Sequence, residues 1–247
     1  MIQGDKAMTM SLVNWNVQWA TPRSRRTPEI RKQIDLHSPD VICLTETSED
    51  LLAPDGHVIS SQPDYGYPLT KNRRKVILWS RYPWEHVDDL GDGDMPPGRY
   101  VSGVTRTPVG EVTVIGTCIP WSGSRTEDYR KSERKKRWED HARYLKGLTN
   151  LLEGVQDRPL IVTGDFNQRI GQGRSVPHQL RTALKGAMPK HLTIATSVLG
   201  HRGRRCIDHM ALSDEFAAES LSVISNIAGS SKLSDHCGVA AVISVQS

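Results

Sequence analysis

The chain has few cysteines, little aromatic content and no long apolar run. Its four cysteines share no C-x-x-C spacing: Cys43, Cys118, Cys206 and Cys237. Such scatter argues against a structural zinc site and favours buried, reduced thiols over disulfides. The longest apolar runs, 76–79 and 159–162, have the length of strands and are too short to cross a bilayer. The first ten residues lack the apolar segment of a secretory signal, so we expect a cytoplasmic protein without membrane attachment.

At 247 residues the chain is long enough for a substantial core, and we expect one domain spanning 1–247. Its net charge is +4, with the positive side chains gathered in three runs, 71–75, 131–137 and 202–205. Basic patches attract polyanions through counterion release and long-range steering. For any one run taken alone, an ordinary solvated surface is the more common explanation, and no obligate protein partner is evident.

Strand-like and helix-like segments alternate from end to end. The predicted strands are 10–17, 40–45, 75–80, 100–107, 111–119, 159–163, 207–212, 221–225 and 238–245. A first helix is expected after Thr27 as N-cap, with Pro28 at its first position. The longest helix is predicted over 126–153, from apolar residues that recur every three or four positions after Trp138. Because strands outnumber helices, two packed sheets with helices outside are favoured over one doubly wound sheet.

Polar side chains stand at the ends of several predicted strands. Asn16 ends the first and Glu46 the second, and the motif Gly-Asp-Phe-Asn at 164–167 follows another. Ile-Asp-His at 207–209 and Ser-Asp-His at 234–236 complete the set. Carboxylate and amide oxygens are the ligands of hard divalent cations, which assist the cleavage of phosphate esters. Taken singly, each of these residues could equally be a strand cap, a surface acid or an Asx-turn residue.

The motifs W-N-V, L-x-E-T, G-D-F-N, I-D-H and S-D-H, in this order between 14 and 239, resemble the endonuclease/exonuclease/phosphatase superfamily. The resemblance covers nearly the whole chain. It implies an α+β fold, a four-layer α/β/β/α sandwich of two mainly antiparallel or mixed sheets with outer helices. It also implies a metal-dependent hydrolase of phosphoric esters that uses Mg²⁺ or Mn²⁺.

The same resemblance implies a role for each motif residue. It implies three metal ligands: Asn16, Glu46 and Asp235. Asp165 would orient or deprotonate the attacking water, and Asn167 would hold the scissile phosphate. His236 would stabilise charge on the phosphoryl oxygens as an imidazolium, while Asp208 fixes its orientation and raises its basicity.

Neighbours of these residues are predicted to be structural. Trp15 and Phe166 alternate with site residues and are expected in the core on the opposite strand face. His209 is expected to support the site without reaching the substrate.

One position departs from the family pattern. Many members place a histidine or tyrosine at the end of the middle strand, where this chain has Cys118. A thiol is a weak hydrogen-bond donor and carries no positive charge. Three residues are candidates to replace this phosphate contact: Arg99, Arg125 and Tyr129. Trp121 is a further candidate for substrate binding, where it would stack on a base, or it is an ordinary packing residue.

The choice of substrate rests on elimination. Thr163 and the sequence Arg-Cys-Ile-Asp at 205–208 lack the pattern of inositol phosphatases. No signal peptide or exposed apolar hairpin supports a sphingomyelinase, and Ile-Pro-Trp at 119–121 matches only the start of the apurinic-endonuclease element. A nuclease that hydrolyses DNA or RNA is therefore the leading hypothesis, with runs 71–75 and 131–137 as backbone contacts. A phosphatase for a soluble phosphomonoester or nucleotide-like metabolite and a catalytically silent nucleic-acid-binding module are the alternatives.

Overall fold

The computed structural model describes residues 8–52, 54–126, 135–155, 158–171 and 175–246. Its strands are β1 (Thr9–Asn16), β2 (Val41–Ser48), β3 (His57–Ser60), β4 (Arg73–Ser80), β5 (Trp84–Asp88), β6 (Tyr100–Thr107), β7 (Gly110–Cys118), β8 (Leu160–Asp165), β9 (Leu192–Ile194), β10 (Gly200–His201), β11 (Arg204–Arg205), β12 (Asp208–Ser213), β13 (Phe216–Ile224), β14 (Ile227–Ala228), β15 (Ser231–Lys232) and β16 (Gly238–Val245). Its α-helices are α1 (Thr27–Asp35), α2 (Glu139–Glu153) and α3 (His178–Ala187).

Two six-stranded sheets form the centre of the molecule. The first has the order β13-β16-β1-β2-β4-β3, and the second has the order β5-β6-β7-β8-β12-β9. Each sheet contains one parallel pair, β1 with β2 and β7 with β8, and its other pairs are antiparallel. The carboxyl ends of parallel strands meet at one edge of a sheet. Asn16 and Thr45 are therefore paired in the first sheet, and Cys118 and Asp165 in the second.

The sheets pack face to face over a central apolar core. Leu12 and Leu78 of the first sheet meet Val114, Ile161 and Met210 of the second there. Burying each such side chain contributes roughly 1.5–3 kcal/mol. This central core fixes the distance between the polar strand ends that lie above it.

Helices cover the two outer faces. Ile30 and Ile34 of α1 pack on the outside of the first sheet. On the second sheet, Leu148 of α2 and Leu184 of α3 join one cluster with Val162 of β8. The α/β/β/α layering predicted from the motifs is therefore confirmed. No helix in the described part of the chain has the length and apolarity needed to cross a membrane.

The structure corrects the beginnings of two helices. Thr27 is the first residue of α1 and not its cap, because its hydroxyl donates to the Thr21 carbonyl at 2.6 Å. The prediction that α2 begins at 126 is wrong, since α2 begins at Glu139. The preceding Trp138 has a left-handed backbone with φ of +70°, which an α-helix does not accept. Residues 127–134 of the predicted helix lie outside the described part of the chain.

Candidate active site

A close backbone approach brings β8 to the site. Gly164 has φ of +143°, and a Cβ atom at this position would lie 1.8 Å from the carbonyl oxygen of Thr117. Only glycine fits there, so the G-D-F-N motif needs its glycine for steric reasons. Glu46 and Asn167 also have positive φ values, +47° and +51°, without being glycines. Left-handed backbone at non-glycine residues costs roughly 1–2 kcal/mol each, and such strain concentrates at functional sites.

Asp165 lies at the centre of a hydrogen-bond network and is 2% exposed. One carboxylate oxygen accepts from the Asn167 backbone N–H at 2.9 Å. The other accepts from the side-chain amides of Asn167 at 2.9 Å and Asn16 at 3.1 Å. Burial raises the pKa of Asp165 to about 7, although the nearby His236 acts in the opposite direction. A carboxylate with a pKa near neutrality is suited to accept a proton from water.

His236 and Asp208 form a buried pair. The Nδ1 atom of His236 donates to Oδ2 of Asp208 at 2.7 Å, and Oδ1 of Asp208 accepts from the Asn16 backbone N–H at 2.9 Å. The indole of Trp15 donates to the His236 carbonyl at 2.9 Å, which anchors the backbone of the histidine. Burial alone would lower the pKa of His236, but the charges of Asp208 and Asp165 raise it to about 10. The imidazole is therefore positively charged at neutral pH, with Nε2–H as its remaining donor.

Carboxylates surround this pair. Ligand atoms of Asp165, Asp208 and His236 lie within 4.8 Å of one another, an arrangement that could hold a metal ion. A protonated His236 is a poor metal ligand, so a metal ion in this cluster would be held by the carboxylate oxygens and not by the imidazole. Glu46 lies close enough to raise the pKa of Asp165, and Asp235 close enough to raise that of His236. The charges of three carboxylates, Asp208, Asp165 and Asp235, therefore act together on the imidazolium.

The sequence did not single out Lys75 as a site residue. Its ammonium group lies 2.7 Å from Oε1 of Glu46, and its side chain is nearly buried. It also lies 4.8 Å from the ring centroid of Trp19 and 5.6 Å from that of Tyr65. The register of β2 with β4 pairs Thr45 with Val76 and Thr47 with Arg74. Glu46 and Lys75 lie between these pairs, so correct pairing of the two strands would have revealed the contact.

A row of aromatic rings extends from this lysine. The centroids of Trp19 and Tyr65 are 5.7 Å apart, and those of Tyr65 and Tyr67 are 6.0 Å apart. The Arg73 guanidinium lies 4.8 Å over the Trp19 ring. We call Trp19, Tyr65 and Tyr67 the aromatic row. Its rings and adjoining cations are suited to contact a planar base and its phosphate.

Cys118 is buried and does not act as a cation in the site. Burial raises the pKa of its thiol to about 12, so the thiol stays neutral. Lys75 and Arg99 lie close enough to lower that pKa against the effect of burial. Arg99 is itself buried, donates to the Ser124 hydroxyl at 3.3 Å, and has an Nε atom with no partner among the described residues. Two cations therefore lie near the position where the family usually has a histidine or tyrosine.

The other predicted substrate contacts differ in their placement. Trp121 is 57% exposed beyond the end of β7. Arg125 has an exposed side chain, and its backbone N–H donates to the Tyr67 hydroxyl at 2.8 Å. Tyr129 lies outside the described residues. Within the basic run 131–137, Lys135 forms a 2.7 Å ion pair with Asp140, so this lysine serves the fold.

The prediction that Trp15 and Phe166 lie in the core is confirmed. Trp15 and Phe166 are fully buried in the two outer cores. His209 is also buried; its Nε2 atom donates to the Gln168 carbonyl at 3.0 Å, and its Nδ1 atom lies 3.2 Å from the Thr196 hydroxyl. Burial lowers the pKa of His209 to about 4, so this histidine remains neutral.

Comparison with known proteins places this geometry in context. A similar solved structure is the apurinic (AP) endonuclease from Archaeoglobus fulgidus, with 17% identity, 94% of this chain and 98% of that chain covered, and a TM-score of 0.66. The 3'-5' exonuclease NExo from Neisseria meningitidis has 19% identity, coverage of 94% and 98%, and a TM-score of 0.65. D. rerio TDP2 complexed with a single-strand DNA product has 14% identity, coverage of 96% and 99%, and a TM-score of 0.66. These likenesses establish the fold.

A search of curated protein sequences gave no significant match. A model of the Endonuclease/Exonuclease/phosphatase family, however, matches residues 13–236. That span includes every strand-end motif from Asn16 to His236. The chain therefore belongs to the Endonuclease/Exonuclease/phosphatase family and is a hydrolase of phosphoric esters.

Proposed function

We propose that this protein is a divalent-metal-dependent nuclease that hydrolyses DNA or RNA by in-line attack of water on a phosphodiester. The observation that carries the proposal is the closeness of two groups within 4.8 Å: Asp165, a buried carboxylate with a pKa of about 7, and the imidazolium of His236. A proton acceptor beside a fixed positive charge is what water attack on an anionic phosphate requires.

The metal would be held by Glu46, Asp235 and the side-chain oxygen of Asn16. Glu46 gives one oxygen to Lys75, and its other oxygen has no donor among the described residues. The Asn16 oxygen accepts one bond, from the Gln18 backbone N–H at 2.9 Å, and keeps a second lone pair. These are hard oxygen donors that suit Mg²⁺ or Mn²⁺. Such an ion would neutralise charge on the phosphate and its leaving oxygen.

The remaining steps fall to side chains of this chain. Asp165 accepts the proton of the attacking water, held in place by the amides of Asn16 and Asn167. Both side-chain N–H bonds of Asn167 are used, one by Asp165 and one by the Ile119 carbonyl at 2.8 Å. Asn167 therefore positions Asp165, and it would contact the phosphate only by releasing one of these bonds.

Positive charge would stabilise the phosphoryl oxygens in the transition state. Nδ1–H of His236 is fixed on Asp208, and its Nε2–H, which has no partner among the described residues, can donate to a phosphoryl oxygen. Lys75 and Arg99 would supply the charge that Cys118 lacks. Removing one preorganised donor to a developing anion lowers rates by roughly 10²–10³-fold.

The aromatic row favours a nucleic acid over a small phosphomonoester. It begins at Trp19, whose backbone N–H donates to the Glu46 carbonyl at 2.5 Å, and so it adjoins the site directly. Stacking of a base on an aromatic side chain is worth roughly 1–3 kcal/mol. Among proteins of the same fold, NExo from Neisseria and TDP2 from D. rerio have been solved with DNA products bound.

The experiment is a substrate comparison. Labelled single- and double-stranded DNA and RNA, and p-nitrophenyl phosphate, would be incubated with purified protein in Mg²⁺, Mn²⁺ or EDTA. We expect metal-dependent, salt-sensitive cutting of a polymer. Cleavage of p-nitrophenyl phosphate alone, insensitive to ionic strength, would establish the phosphatase instead. Trp19→Leu should raise KM for the polymer, while the matched Trp84→Leu on edge strand β5 should leave it unchanged.

A further inference from the structure

A strongly basic cavity opens beside the candidate active site. Its volume is about 450 Å³. Asp208, Asp235 and His236 form one wall, and the hairpin β10–β11 forms another. Four arginines line it: Arg169, Arg202, Arg204 and Arg205. We call this space the arginine cavity. Two carboxylates face these four arginines, and one of the two is already paired with His236.

The hairpin presents its arginines at a backbone cost. Its two-residue turn consists of Arg202 and Gly203, with φ values of +50° and +77°. Positive φ at both central residues is the pattern of a type I′ turn, in which asparagine, aspartate or glycine is preferred at the first position. Arg202 occupies that position here, and arginine has no such preference. A charge that serves a ligand would explain why arginine is kept in an unfavourable conformation.

Three of the four cavity arginines have no carboxylate partner in the described part of the chain. Among the residues that the structure describes, no carboxylate forms an ion pair with Arg169, Arg202 or Arg204. The Nε atom of Arg169 and the Nε2 atom of His201 are buried, with no hydrogen-bond partner among the described residues. Arg205 is different, because its guanidinium donates to the Ser197 carbonyl at 2.5 Å and ties the hairpin to the domain. A buried N–H without a partner, such as that of Arg169, is costly, and an anionic ligand would satisfy it.

We propose that the arginine cavity binds a second phosphate of the substrate, adjacent to the phosphate that is hydrolysed at Asp165 and His236. The proposal rests on the nuclease function and makes it more specific. The shared wall formed by Asp208 and His236 means that one substrate can reach both places. An arginine fork binds a phosphate through two parallel hydrogen bonds, which fixes its position as well as its charge. The second phosphate is either the next diester of the strand or a terminal phosphate.

The first test uses Arg202→Asn/Arg204→Gln, which removes two charges and gives the turn a residue that it accepts. The matched control is Arg81→Gln/Arg106→Gln, two exposed arginines at the far ends of β4 and β6. Substrates are bis(p-nitrophenyl) phosphate, which has one phosphate, and a short single-stranded oligonucleotide.

We expect the hairpin variant to raise KM for the oligonucleotide about tenfold or more and to keep kcat within about twofold, because the lost contacts bind both ground and transition states. Hydrolysis of bis(p-nitrophenyl) phosphate should not change. The slope of log Kd against log salt should fall by about 0.7, the contribution of one neutralised phosphate on a single strand. An unchanged KM and salt slope, equal to those of the control variant, would overturn the proposal.

A second arm does not depend on catalysis. In EDTA, inorganic pyrophosphate would be titrated against the parent and the two variants by calorimetry. Binding weakened about tenfold only in the hairpin variant supports the cavity as a phosphate site even where no polymer is cut, which would separate it from the nuclease proposal. Equal binding in all three proteins overturns it. Oligonucleotides with 5′-phosphate and 5′-hydroxyl ends then tell a terminal phosphate from an internal diester, since only the former requires the phosphorylated end.

Discussion

Asp165→Asn should make the metal-free protein more stable at pH 8, although it should lower the activity of the protein in Mg²⁺ by about 10²–10⁴-fold. The structure buries this carboxylate almost completely and raises its pKa from 3.8 to about 7. The folded protein therefore holds a proton on Asp165 that the unfolded chain releases. Because the folded state binds more protons, its free energy of unfolding falls as the pH rises from about 4 to 7.

The magnitude follows from the size of that pKa shift. One pKa unit corresponds to 1.36 kcal/mol, and the window between pH 5 and pH 7 spans two units of it. The parent should lose about 2–3 kcal/mol over this window through Asp165 alone. At pH 5 the folded carboxyl is neutral, so an amide of nearly the same shape should change stability by less than about 1 kcal/mol. The advantage of Asn over Asp should therefore grow by about 2–3 kcal/mol between pH 5 and pH 8.

The assay is urea denaturation of both proteins at pH 5 and pH 8 in EDTA. Asp140→Asn is a matched control, because hydrogen bonds from Lys135, Thr126 and Ser124 lower the pKa of Asp140 against the effect of burial. Asp140 is ionised at both pH values, so its substitution should destabilise the protein equally at both. The reasoning fails if the free energy of unfolding changes by the same amount in Asp165→Asn and in the parent between pH 5 and pH 8. That result would mean that burial does not raise the pKa of Asp165.

Three further predictions come from the same geometry. Activity should fall near pH 10 as His236 loses its proton, and Asp208→Asn should move this fall to lower pH. A fall at the same pH in the variant would contradict the role of the Asp208–His236 pair. Gly164→Ala should lower the free energy of unfolding, measured by urea titration, by about 3 kcal/mol or more, because the new Cβ would lie 1.8 Å from the Thr117 carbonyl oxygen. A nearly unchanged stability would refute this close approach of the two strands. Lys75→Met should reduce kcat about tenfold or more, and it should lower the Mg²⁺ concentration needed for half-maximal activity because the ammonium competes for Glu46. Lys75→Arg is the control, and an unchanged Mg²⁺ titration in Lys75→Met would argue against this competition.

The layered fold was predictable because its strands carry strong local signals. Continuous apolar runs such as 159–162 mark strands buried on both faces, and β8 lies there. Helix starts were less predictable, because the left-handed conformation of Trp138 depends on the turn before it. Helix α3 was missed, although Leu180, Leu184 and Ala187 stand four and three residues apart after Pro177, a spacing typical of a buried helix face.

The network around Asp165 was predictable in its members but not in its bonds. The motifs name Asn16, Asp208 and His236, while only the fold shows which amide contacts which carboxylate. Lys75 was treated as part of a surface run, because a sequence does not reveal which face of β4 meets Glu46. The same holds for the hairpin arginines, whose neighbours in the cavity come from distant parts of the chain.

The central claim is that Asp165 and His236 carry out metal-dependent cleavage of a nucleic acid. Its most direct test is the single-turnover rate of oligonucleotide cleavage by the parent, Asp165→Asn and His236→Ala. His57→Ala, an exposed histidine on edge strand β3, serves as the control. The account predicts cutting in Mg²⁺ but not in EDTA, a loss of about 10²–10⁴-fold in both site variants, and a normal rate in the control. Cutting that survives in either site variant, or that proceeds in EDTA, would contradict it.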